Sequence, residues 1–153
     1  MPAVASSSRH PRHPRKSSAP RTRWNVVVEG PATRAYGFML DDECIRRWAP
    51  IVYEEIHDAK MPVSDTEDGQ AALMASCQMV TVTLPTKIYR EFPSIPRLWR
   101  RMIPFSGEGY LFVLKDNRSR ATRKAELDPA DVEGIRRSLK LGKQKPKWYD
   151  IPM

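Results

Sequence analysis

Apolar positions recur along this chain with two periods, and the places where one period gives way to the other set the predicted element order. The first run, Trp24 to Gly30 (WNVVVEG), is β-branched and closed by Gly30-Pro31. A second strand is predicted over Arg34 to Leu40, and the two read as a hairpin. Asp41 and Asp42 then offer an N-cap to a helix in which Ile45, Trp48, Val52 and Ile56 make a single apolar stripe ending near His57. Pro50 lies inside it and predicts a kink or a restart at Ala49. Ser64 and Glu67 form a capping-box pair for a short helix over Gly69 to Ser76. From Gln78 to Pro85 the pattern changes to alternation. Val80, Val82 and Leu84 fall on one side and Met79, Thr81 and Thr83 on the other, which predicts a half-buried strand ended by Pro85.

Residues 85 to 107 carry Pro85, Pro93, Pro96 and Pro104 among Tyr89, Phe92, Trp99 and Phe105. This reads as a packed loop holding one short helix from Pro96 to Met102. Gly109 to Lys115 (GYLFVLK) is an unbroken apolar run, as expected of a central strand buried on both faces. Asp116 to Lys124 is polar and reads as a turn or loop. The last helix has the clearest signals: Asp128 as N-cap, Pro129 at its first position, Leu127 placed to staple onto Val132, then Ile135, Leu139 and a closing Gly142. In the basic terminus beyond it, Trp148 and Tyr149 are expected to clip back onto the domain.

Strands and helices that do not strictly alternate predict an α+β fold. The expectation is one small domain of about four mainly antiparallel strands with two to three helices. Its bounds are read as a disordered basic tail over 1–23, a globular domain over 24–142 and a basic C-terminal extension over 143–153. About 130 residues outside the tail are enough for one core without staples.

Charge sharpens this division. The first 23 residues hold Arg9, Arg12, Arg15, Lys16, Arg21 and Arg23, five Ser, four Pro and no acid. Such a segment has too little apolar surface to offset the entropy of ordering. From 24 to 96 there are 6 Lys/Arg against 11 Asp/Glu, and from 97 to 153 there are 14 against 7. The later basic residues include Arg97, Arg100 and Arg101, then Arg118, Arg120, Arg123 and Lys124. If they share a face with the tail, they form an electrostatic footprint for a polyanion. Trp99 and Phe92, interleaved with arginines in IYREFPSIPRLWRRMIPF, are candidates for base stacking or for lining a groove, weighed against a role as core plugs.

Other chemistry finds little support. Cys44 and Cys77 have neither CxxC nor Cys/His spacing, which argues against a zinc site or a disulfide framework and fits a reducing compartment. Glu54-x-x-His57 is one half of a di-iron pattern that needs two, and it reads as a solvated helix end. PFSGEGY matches no phosphate loop and leads into a strand. Asn117-Arg118-Ser119 fits the glycosylation pattern, which matters only in a secretory setting. No catalytic residue, cofactor or metal is assigned.

No run of about 18 apolar residues is present, so no membrane partner is expected. The tail's prolines disfavour the amphipathic helix of a mitochondrial transit peptide, leaving a soluble intracellular protein, cytoplasmic or nuclear, as the expectation. The reading put first is a non-enzymatic adaptor held to an acidic protein partner by its basic tail. Second is a nucleic-acid-associated protein, and third a small enzyme of unassigned class.

Overall fold

The computed structural model describes residues 31–98 and 100–152. Its elements are β1 (Arg34–Leu40), α1 (Asp42–His57), α2 (Glu67–Glu91), β2 (Met102–Phe105), β3 (Gly109–Asp116), α3 (Arg120–Lys124), α4 (Pro129–Ser138) and β4 (Lys147–Asp150). The strands form one sheet in the order β2-β3-β1-β4, every neighbouring pair antiparallel. The fold is α+β, and among the described residues it has four strands, as many as expected though not all the same ones, with four helices in place of the expected two to three.

β3 lies between β2 and β1 and buries both its faces, as its unbroken apolar run requires. Phe112 and Leu114 join Phe38 and Leu40 of β1 against Ile45, Ala49 and Val52 of α1, Val80, Leu84 and Ile88 of α2, and Ile135 and Leu139. Leu111 and Val113 face the other way, onto Ala35 and Ile103. Sheet twist draws diagonal corners over this second face, where Phe105 of β2 and Tyr149 of β4 meet edge-on with ring centroids 6.0 Å apart. A bulge separates Tyr36 from Gly37 in the β1–β3 register. Only glycine fits there, since a Cβ on Gly37 would lie 1.9 Å from the Phe112 carbonyl oxygen.

α1 starts as expected, with Asp41 accepting from the Cys44 N–H at 2.8 Å, and it runs unbroken through Pro50 to His57. The structure corrects the sequence reading at four points. The strand read over Gln78 to Leu84 is the middle of α2, a 25-residue helix that starts at a Thr66 cap rather than at Ser64 and continues through Pro85. Val80, Leu84 and Ile88 point to the core at helical spacing, while the Thr81 and Thr83 hydroxyls bond back to the Gln78 and Met79 carbonyls. Burial along one side of a continuing helix outweighed the short alternation. Residues 96–101 contain no helix among those described and lead instead into β2. The polar stretch after Asp116 contains α3, capped by a reciprocal Ser119–Thr122 box. Finally, Lys147–Asp150, assigned to an extension, is one of the two edge strands of the sheet. The strand expected at 24–30 and the tail over 1–23 lie outside the described residues.

Candidate polyanion-binding end of the sheet

An antiparallel sheet returns alternate connections to the same end. β1 begins, and β3 and β4 finish, at one end, with Arg34 opposite Asp150 and Ala35 opposite Asp116. The described chain therefore enters at the end where the segment Arg118 to Lys124 leaves β3. Asn117 makes the junction: its Oδ1 accepts from the N–H groups of Thr33 (3.0 Å) and Arg34 (2.9 Å), and its Nδ2 donates to Thr33 Oγ1 at 3.0 Å. The N–H of Ile151 donates to the Thr33 carbonyl at 2.8 Å.

The basic segment beside this junction is held by its own polar residues. Asp116 is buried and accepts from the Arg118 N–H at 3.0 Å and the Thr122 hydroxyl at 2.9 Å. With the Ser119 box, this fixes α3 so that Arg120, Arg123 and Lys124, at i, i+3 and i+4, share one exposed side. None of these three has an acidic partner among the described residues.

A second group lies beside them on the helix-covered face. Tyr36 is opposite both Lys115 and Trp148 in the register, and the Tyr36 and Trp148 rings stand 5.6 Å apart. Lys115 lies 5.6 Å from the Tyr36 centroid and 5.8 Å from that of Trp148, and Arg34 lies 5.8 Å from Trp148 while pairing with Asp150 at 3.1 Å. Both rings are half-buried, so each keeps an accessible part next to a cation.

The other sequence candidates divide. Arg100 is exposed just before β2. Arg101 is structural: its guanidinium donates to the Val113 carbonyl at 2.9 Å and to that of Pro96, and burial lowers its pKa to about 10. Arg97 lies over the Tyr89 ring, with Nε donating to the Tyr89 oxygen at 3.0 Å, beside the last turn of α2. Phe92 packs on the core, its ring occupying the space a Cβ on Gly134 would need, at 2.5 Å. Trp99 and the tail residues Arg9, Arg12, Arg15, Lys16, Arg21 and Arg23 lie outside the described residues. Sequence reasoning missed Arg34, Tyr36, Lys115, Asn117 and Trp148 as one group, because only strand register brings them together. The single available signal was the aromatic pair embedded in a basic terminus.

The opposite end carries acids together with the exposed Lys143 and Lys145, because Gln144 between them accepts from the Met39 N–H at 2.7 Å and donates to the Met39 carbonyl at 3.0 Å, close to the β1 exit. Asp41, Asp42 and Glu43 are exposed where β1 passes into α1, and Glu108 is exposed in the β2–β3 turn. Elsewhere, Arg136 and Arg137 are occupied by Glu133, whose carboxyl they hold down to about 2, the Arg136 hydrogen bond contributing most. Burial raises the Cys44 thiol, and its sulfur meets the Leu139 carbonyl oxygen at 3.6 Å. Burial also raises Cys77, which feels Arg46 and Asp42 near the start of α1. His57 lies against Tyr53 in the last turn of that helix, with ring centroids 4.3 Å apart. Among the described residues no three His, Cys, Asp or Glu side chains cluster as metal ligands, and no helix is long and apolar enough to cross a membrane.

Compared with protein-family models, curated proteins and solved structures, the chain matches no family model, no curated protein and no solved structure.

Proposed function

We propose that this chain is a non-enzymatic polyanion-binding module whose partner is single-stranded nucleic acid. The observation that carries the reading is the meeting, at one end of the sheet, of the α3 cations, the Arg34–Tyr36–Lys115–Trp148 group and the junction to the basic tail. Arg23 is eight residues from Pro31, so covalent geometry keeps the tail's nearest charge within about 29 Å of that end. Cations neutralise phosphates irrespective of sequence, and half-exposed rings beside them suit unpaired bases, which present a π-face that duplexes hide.

The test is fluorescence anisotropy of the full chain with a mixed-sequence single strand, a duplex of equal charge and polyglutamate. The proposal expects the single strand to bind most tightly at about 50 mM salt, with log K falling linearly against log salt. Trp148→Ala should reduce single-strand affinity more than duplex affinity. Polyglutamate binding as tight as the oligonucleotide, unaffected by Trp148→Ala, would favour the acidic-protein adaptor instead. The absence of binding to all three probes would remove both readings.

A further inference from the structure

α2 differs from α1 in what it shows to solvent. The exposed side of α1 is mostly charged, with Glu43, Arg46, Arg47, Glu54 and Glu55. α2 contains no charged residue from Gly69 to Thr86, an 18-residue run within its 25 residues. Its buried positions, Gly69, Ser76, Val80, Leu84 and Ile88, supply one core-facing side. The opposite side is an exposed stripe of Ala71, Met74, Ala75, Gln78, Met79 and Val82, in which Met74 is 67% and Val82 65% exposed. A helix apolar on its outer side as well as its inner side marks a contact surface, since ordinary surface helices are polar there.

The charges that bound the stripe specify its occupant. At the N-terminal end stand Glu67 and Asp68, exposed and acidic, and at the C-terminal end stands Arg90, exposed and basic, while the adjoining Glu91 accepts from the Ser138 hydroxyl at 3.2 Å on the α4 side. A second copy of the same helix, laid antiparallel about a two-fold axis between Gln78 and Met79, sets Met74 and Ala75 against Val82 and brings Glu67 and Asp68 of each copy toward Arg90 of the other. Ala71 and Ala75 are small enough for the axes to approach closely, and opposed helix dipoles add to the match. A parallel pair would set acid against acid and base against base. We infer that the chain forms a two-fold homodimer through the outer face of α2, with the helices antiparallel. The uncharged outer side of α2, continuing past the stripe to the exposed Thr86, is about 24 Å long from Ala71. Two such stripes bury on the order of 1,000 Å², the lower limit for a specific interface, so the dimer is a dissociable one. It leaves α3 and the Tyr36–Trp148 group uncovered and does not depend on the polyanion reading.

Sedimentation velocity on the full chain between about 5 and 300 µM tests the inference, a dissociable dimer of this size having a micromolar Kd. The expected result is a shift from monomer to dimer, with Val82→Glu raising the Kd by at least about tenfold through an uncompensated charge in the contact. Arg90→Glu makes both ends of the stripe acidic, and Glu67→Lys with Asp68→Lys makes both ends basic. Each variant alone should dimerise more weakly than the parent chain, and the two mixed should form a heterodimer with affinity restored. Recovery on mixing also shows that both variants are folded. A parent chain that stays monomeric throughout, a dimer indifferent to Val82→Glu, or mixed charge variants that fail to pair would each overturn the inference.

Discussion

The two ends of the sheet are built from the same strands and hold their charges differently. At one end, the β1 start and the β3 exit present Arg34, Arg120, Arg123 and Lys124 beside the junction to the tail. At the other, the β1 exit and the β2–β3 turn present Asp41, Asp42, Glu43 and Glu108, with Lys143 and Lys145 of the segment that enters β4 nearby. Helix formation contributes to the acidic end, because Asp41 is an N-cap and Asp42 and Glu43 occupy the first turn, where negative charge meets the positive helix terminus. Of the exposed cations of α3, Arg123 and Lys124 stand in its last turn, where positive charge suits the helix terminus, whereas Arg120 stands in its first turn without such a use, and none of the three makes an ion pair among the described residues. Charges that a fold requires and charges it merely displays are thereby distinguished, and the displayed ones are the candidates for binding.

The largest expected effect breaks both ends together. Phe112 is fully buried at the centre of the sheet, and Phe112→Ala should cost about 3 to 5 kcal/mol, measured by urea unfolding, with loss of oligonucleotide binding. A variant that unfolds on that scale yet binds normally would show that the basic segment acts without the sheet. Reversing charge at one end only separates them. Arg120→Glu, Arg123→Glu and Lys124→Glu together should weaken single-strand binding at least about tenfold at low salt and flatten the salt dependence, whereas Glu108→Lys should leave affinity unchanged or slightly raised.

Asn117 sharpens the comparison further. Its side chain makes three hydrogen bonds to Thr33 and Arg34, so Asn117→Ala should cost about 1 to 3 kcal/mol and loosen the junction. Asp41→Ala at the acidic end should cost about 1 kcal/mol by loss of a cap, without altering binding. Equal effects of the two variants on anisotropy would erase the distinction between the ends. The smallest effect concerns Glu133. Its folded pKa is about 2 against an ordinary 4.5, so its contribution is complete above about 4.5 and is lost as pH falls toward 2. Thermal melts between those values should show a shallower acid dependence for Glu133→Gln than for the parent chain. Indistinguishable profiles would mean that the exposed cluster contributes nothing to stability.

Elements with two independent local signals were legible in the chain. β3 had an unbroken apolar run and was bounded by a glycine turn before it and a polar segment after it, and α4 had Asp128 and Pro129 at its start, with Asp128 accepting from the Ala130 N–H at 2.9 Å. Val80 to Leu84 had one signal, an alternation over too few residues to separate the two periods, and it misled. β2 and β4, each of four residues, are strands only because a neighbour's hydrogen-bonding edge is beside them. The candidate site follows the same rule. The Arg118 to Lys124 cluster was visible as a sequence run, but its neighbours Tyr36 and Trp148 are 112 positions apart in the chain.

Sequence alone determined the α+β class, the capped starts of α1 and α4, the central strand and the concentration of positive charge after residue 96 and before residue 24. Those features depend on neighbours within a few residues, where propensity, capping and spacing act. Tertiary structure decided that α2 is one long helix, which strands flank β1, and which end of the sheet each charge occupies. These depend on burial and on hydrogen bonding between segments far apart in the chain, and a period read over eight residues carries no information about either.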